Sequence, residues 1–136
     1  MKNYTTKYRS RRGYFFQMPN ELFGLHLTAG EIAVYAYLMY LEDRKTYQCY
    51  PSYAKIGKAV HMSANTVRKY VQRLEDKRLI YTEPTTVMTS KGEKRNGSLL
   101  YTIRPIQDAV DYYNQRQLKK LELQVALDKA NARCAS

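Results

Sequence analysis

Seven side chains between Ser63 and Arg73 have the types and spacing to hold a polyanion: Ser63, Asn65, Thr66, Arg68, Lys69, Gln72 and Arg73. Arg and Lys donate to guanine edges or to phosphate oxygens, and Asn or Gln pairs bidentately with adenine. Ser63 and Thr66 stand where a helix would begin, and the free amides of a helix N-terminus suit a phosphate. Asn65, Arg68 and Lys69 are therefore the candidates for base readout. Arg73, with Lys55 and Lys58 upstream, suits phosphate contacts, which position a protein without reading sequence. Two further basic sets flank this stretch. Lys91, Lys94 and Arg95 would reach a minor groove or backbone from a hairpin. Arg9, Arg11 and Arg12 would follow an adjacent minor groove as an arm.

Such side chains need a helix pair to carry them, and Pro51 to Ile80 reads as one. Ser52 caps the first helix, with Ile56, Ala59 and Val60 as its inner face. Ser63 caps the second, and Met62 and Val67 form a hydrophobic staple across that cap. Val67, Tyr70, Val71 and Leu74 recur at i, i+3, i+4 and i+7, an apolar stripe that predicts a helix to about Lys77. Asn65, Lys69, Gln72 and Asp76 fall opposite the stripe, with Arg68 and Arg73 at its flanks. The linking turn, Val60-His61-Met62, has no glycine. His tolerates the left-handed region better than β-branched residues do, so His61 is expected there in a structural role.

An earlier helix supplies the scaffold. Thr28-Ala29-Gly30-Glu31 reads as a capping box, with the Thr28 hydroxyl on the Glu31 amide and the Glu31 carboxylate returning to the Thr28 amide. Leu27 and Ile32 staple it. From Glu31 to about Asp43 the pattern is apolar on most sides, which predicts a buried helix. Tyr14-Phe15-Phe16 reads as packing aromatics ended by Pro19. Tyr47 to Tyr50 is a short extended segment, since Pro51 restricts Tyr50 to extended geometry.

Beyond the pair, Leu79 to Met88 and Ser98 to Arg104 read as a two-stranded ladder. Asn96-Gly97 is a strong hairpin dipeptide, with Lys91-Gly92 as a competing bend. The expected tip, Thr89 to Gly97, carries Lys91, Lys94 and Arg95. Pro105 ends the ladder. Residues 107–133 are helix-compatible, with Val110, Leu118, Leu121 and Val125 near one stripe and Leu123 and Leu127 beside it. This is a dimerisation helix or one packed back on the domain, fraying after Ala130.

Composition narrows the partner. The chain has 23 Lys+Arg against 12 Asp+Glu, a net charge of +11. That excess favours a polyanion: DNA, RNA or an anionic membrane. Residues 1–18 hold five basic residues and no acid. No apolar run is long enough to span a bilayer, and the basic N-terminus lacks the apolar stretch of a secretory signal. Cys49 and Cys134 match no CxxC spacing, and with His26 and His61 they form no metal pattern. They read as reduced thiols of a cytoplasmic protein. No nucleophile elbow, phosphate loop or dinucleotide fingerprint is present. The 14 tyrosines lie mostly at core-like spacing without metal ligands beside them, which speaks against catalysis.

The order helix, short strand, two helices, two-stranded ladder resembles a winged helix. Pro51-Ser52, Ile56, Ser63, Thr66-Val67, Leu74 and Leu79-Ile80 fall at the spacing seen in bacterial winged helix-turn-helix regulators. Met18-Pro19-Asn20-Glu21, Leu27-Thr28, Glu31 and the ladder with Asn96-Gly97 are similar to small helix-turn-helix proteins of phage, plasmid and conjugative elements. In that group the module also occurs in replication proteins. The resemblance covers roughly residues 14–104. It implies a mainly α fold with a small β-wing and a C-terminal helix. The expected divisions are a basic arm over 1–18, a winged-helix DNA-binding domain over 19–105 and a C-terminal helix over 106–136.

The expected function is sequence-specific binding of double-stranded DNA by a homodimeric transcriptional regulator. The alternatives are a replication-initiation or accessory DNA-binding protein of a mobile element, and a protein-interaction winged helix. The Arg68-Lys69-Arg73 set argues against the latter. RNA binding lacks an aromatic stacking motif on a sheet. No cofactor, metal or small-molecule ligand is expected.

Overall fold

The computed structural model describes residues 15–134. Arg9, Arg11, Arg12 and Tyr14 lie outside the described residues. After an extended lead-in, Asn20–Leu25 forms a 3₁₀ turn, followed by α1 (Ala29–Leu41), β1 (Gln48–Cys49), α2 (Tyr53–Val60) and α3 (Ala64–Asp76). Then come β2 (Ile80–Glu83), β3 (Thr86–Met88), β4 (Lys94–Asn96), β5 (Leu100–Ile103) and α4 (Ile106–Cys134). This is a winged helix-turn-helix, mainly α, with a C-terminal helix.

Local hydrogen bonds start α1, α2 and α3 where the caps predict. Thr28, Ser52 and Ser63 accept from the amides of Glu31 (3.3 Å), Lys55 (3.1 Å) and Thr66 (3.2 Å). Each satisfies one of the amides that a helix start leaves without a partner. The apolar stripe of α3 is buried at Val67, Val71 and Leu74, with Tyr70 half-buried. On α2 the inner face is Ile56 and Gly57, and Ala59, expected inside, is exposed. Leu22, Val34, Tyr35, Leu38, Leu79, Ile80 and Tyr101 complete the core between the helices and the sheet.

α1 ends at Leu41, two residues short of the expected Asp43. Asp43 instead folds a turn, its carboxylate accepting from the Lys45 amide at 2.7 Å. This is the usual competition of Asp with helical geometry. Tyr50, expected in a strand, lies just outside β1 and is exposed.

The capping box is only half formed. Glu31 does not turn back to Thr28; it is buried (1% exposed) and meets Lys77 Nζ at 2.6 Å. Its partner is the C-cap of α3. Nearby, a Cβ on Gly30 would fall inside the Tyr70 ring, so a glycine lets α1 and α3 approach there.

The ladder is built differently from the expectation. β5 lies between β1 and β2, with Ile80 opposite Ile103 and Glu83 opposite Leu100. β3 and β4 form a separate outer hairpin, with Thr86 opposite Asn96 and Met88 opposite Lys94. Asn96-Gly97 is therefore not the turn. The bend is at Ser90-Lys91-Gly92, where Gly92 has φ 77° and its amide bonds the Thr89 carbonyl at 2.9 Å.

The cause lies across the ladder. Pro84 has no amide to donate and interrupts the outgoing strand. Gly97 donates to the Thr85 carbonyl at 2.7 Å, and a Cβ on Gly97 would stand 2.6 Å from Thr85 Oγ1. This glycine serves a close approach between strands.

Removing one partner of a buried ion pair strands the other charge. Lys77→Ala is expected to destabilise the fold by about 3 kcal/mol in urea unfolding, and Glu31→Gln/Lys77→Met by clearly less. Equal losses in the two proteins would mean that the pairing itself is not what the site requires.

Candidate nucleic-acid interface

The geometry of α3 follows from its cap and its stripe. With Val67, Val71 and Leu74 inward, Asn65, Arg68, Lys69, Gln72 and Arg73 are exposed. Among the described residues, Asn65, Arg68 and Lys69 make no side-chain hydrogen bond or ion pair, so their donors face solvent. The rest of the expected set is partly engaged. Gln72 Nε2 donates to Asp76 Oδ1 at 3.1 Å. The Arg73 guanidinium lies 5.4 Å from the Tyr70 ring centre. Ser63 and Thr66 bond each other through their hydroxyls at 2.8 Å, with Ser63 also holding the Thr66 amide. Those hydroxyls thus serve the helix start before any phosphate.

The turn into α3 is tight. His61 is left-handed (φ 58°, ψ 49°), as expected, and the Met62 amide bonds the Gly57 carbonyl at 2.8 Å. A Cβ on Gly57 would collide with the Met62 carbonyl oxygen. Gly57 is thus the glycine that this turn needs, placed inside α2 and not in the loop. Lys55 and Lys58 are exposed on α2.

The wing separates its three cations. Lys91 is at the tip, while Lys94 and Arg95 are β4 residues and not part of the tip. Arg95 has Glu93 at 4.0 Å, both exposed. The apolar Val87 and Met88 of β3 are also exposed. Arg78, Tyr112 and Arg116 escaped the sequence reading. The Arg78 and Arg116 guanidiniums lie 5.0 and 5.7 Å from the centre of the Tyr112 ring. The Tyr112-to-Arg116 spacing of i, i+4 was the available signal.

The titratable groups that shift are below this surface. Burial pushes the Cys49 thiol up to about 11, with Glu42 adding to the rise. Burial takes the Tyr35 phenol to about 12 and raises Tyr101 further. All three are held in the protonated form, unsuited to nucleophilic work at neutral pH. Glu42 is also raised, by burial, with Arg44 opposing. Its Oε2 is buried and has no hydrogen-bond partner among the described residues. Among the described residues no group of three or more His, Cys, Asp or Glu is placed to hold a metal ion. No helix there is long and apolar enough to cross a membrane.

A family model described as a helix-turn-helix domain matches residues 25–80. No curated protein matches the sequence. Among solved structures, a possible transcriptional regulator from Methanosarcina mazei is similar at 17% identity and a TM-score of 0.50, over 75% of this chain and 79% of that one. MepR, a transcription regulator of the Staphylococcus aureus multidrug efflux pump MepA, aligns at 16% identity and a TM-score of 0.42, over 82% and 79%. At 17% identity the likeness to the Methanosarcina mazei protein concerns the fold alone.

The Glu42 shift has a sign that can be tested. A carboxyl whose folded value is raised binds its proton more tightly folded than unfolded, so its contribution is lost as pH rises through the folded value. At pH 7 the ionised, poorly solvated Glu42 opposes folding. Glu42→Gln is expected to unfold at a higher temperature than the wild type at pH 7, with the gap closing below the ordinary value of 4.5. A gap independent of pH would exclude this origin.

Proposed function

We propose that this protein binds double-stranded DNA sequence-specifically and acts as a transcriptional regulator, with α3 in the major groove. One observation carries the reading: Asn65 and Lys69, opposite the buried stripe of α3, and Arg68 at its flank stand exposed without internal partners among the described residues. A helix presented this way, capped at its start and braced by a second helix, suits major-groove docking. The helix-turn-helix match over residues 25–80 supports it, as does the net charge of +11. Asn65, Arg68 and Lys69 read bases. Arg73, Lys55 and Lys58 hold phosphates. Lys91 with Lys94 or Arg95 touches the flank, and Arg9, Arg11 and Arg12 follow the neighbouring minor groove.

The protein acts as a homodimer joined through α4, on half-sites about one helical turn apart. Leu118, Leu121 and Val125 form an exposed stripe on α4 at i, i+3 and i+7, while Leu123 and Leu127, also exposed, fall on the opposite face of the helix. A stripe of this spacing on a long helix is what a second helix covers. No observation favours the replication or protein-interaction readings over this one.

Affinity for duplex DNA is expected to fall by about 10³ between 50 and 200 mM salt if six phosphates are contacted. Undetectable binding at low salt would sink the proposal. Arg68→Ala is expected to reduce discrimination between sites by about 1–3 kcal/mol, where a uniform loss over all sequences would make Arg68 a phosphate contact. For the dimer, Leu118→Glu/Leu121→Glu is expected to sediment as a monomer. A dimer that survives both charges is joined elsewhere.

A further inference from the structure

A cavity of about 440 Å³ opens between the end of the 3₁₀ turn, the C-cap of α3 and the first half of α4. His26, Lys77, Tyr112, Tyr113, Arg116 and Lys120 line it, and none of Asn65, Arg68 and Lys69 does. Its volume falls in the range of small-molecule sites, about 300–1,000 Å³.

Its charge is one-sided. Three of the lining side chains are Lys or Arg and none is acidic. Lys77 is matched by Glu31 at 2.6 Å. Arg116 and Lys120 make no ion pair among the described residues, and neither does Arg78, which shares the Tyr112 ring with Arg116. Residues 1–14 contain no Asp or Glu that could supply a counter-charge. Like charges gathered this way repel, and the aromatic ring holds two guanidiniums beside the opening.

The rings themselves are occupied. Tyr112 carries the two arginines, and Tyr113 stacks on His26 at 5.6 Å between centroids. What remains free is positive charge. A monocarboxylate would match only one of these cations. A phosphate offers two negative charges and oxygens spaced for the guanidinium fork. The buried Leu25 and Ala109 add an apolar floor beyond the cations.

We propose that this cavity binds a small phosphorylated metabolite, its phosphate held by Arg116 and Lys120 and its organic part against Leu25 and Ala109. The proposal stands independently of DNA binding. An occupant would touch the end of α3 and the root of α4 together.

Inorganic pyrophosphate is the probe, with thermal unfolding followed at constant ionic strength in chloride. The wild type is expected to gain about 5 °C at roughly ten times the dissociation constant. Arg116→Gln/Lys120→Gln changes two exposed side chains of α4 and should keep the fold while losing most of that gain. Arg68→Gln/Lys69→Gln should lose less of it. No gain in the wild type overturns the proposal, as does an undiminished gain in the α4 variant. A loss in the α3 variant equal to or greater than that in the α4 variant also overturns it, since the anion would then sit on the exposed face of α3.

Discussion

The buried Glu31 carboxylate and the Lys77 ammonium, 2.6 Å apart, hold the start of α1 against the end of α3. Glu31 lies in the first turn of α1, where the helix dipole favours a negative charge. Lys77 caps the C-terminus of α3, where the dipole favours a positive one. The two helix ends therefore assist the pair that joins them. A buried ion pair is weak evidence of stability, because desolvation opposes the attraction. Its effect here is on register. Glu31 cannot stay buried unless Lys77 arrives, and the contact of Gly30 with Tyr70 leaves little room for α3 to slide.

With α3 held at that end, its other end is set by the turn from α2. His61 adopts a left-handed backbone, and His26 and Arg78 do the same after the 3₁₀ turn and after α3. A non-glycine residue in that region costs about 1–2 kcal/mol. Such conformations persist when the surroundings over-determine them. At His61 the surroundings are the Met62-to-Gly57 hydrogen bond and the absence of a Cβ on Gly57. The crossing of α2 and α3 is thus fixed by backbone geometry. Asn65, Arg68 and Lys69 are left out of the hydrogen bonding among the described residues.

What was legible in the sequence is what local physics decides. Thr28, Ser52 and Ser63 cap helices because an Ser or Thr hydroxyl finds an amide three residues on, whatever the rest of the chain does. The stripe of α3 was legible for the same reason. Glu31 was misread because its partner lies 46 positions away, and a local capping box competes with it on paper. Asn96-Gly97 was misread because its propensity for a tight turn was outweighed by the strand opposite. Thr85 and Val87 needed a residue without a side chain facing them, and Gly97 fills that place. The cation cluster on α4 was invisible because its lining comes from three elements that only the fold brings together.

The register of the outer hairpin changes how its cations act. In a strand, successive side chains point to opposite faces. Lys94 and Arg95 are neighbours in β4, so they address opposite sides of the wing. Lys94 lies across from Met88, and Arg95 from Val87. Had Asn96-Gly97 been the turn, both cations would have sat in a loosely ordered tip, free to converge on one phosphate run. Placed in a strand, only one of them can face the same groove wall as a given side of Lys91. Arg95 also has Glu93 at 4.0 Å, although an exposed pair at that distance is worth little. The wing therefore presents two faces, each with one cation and one exposed apolar residue, and it can lay only one of them against any single surface.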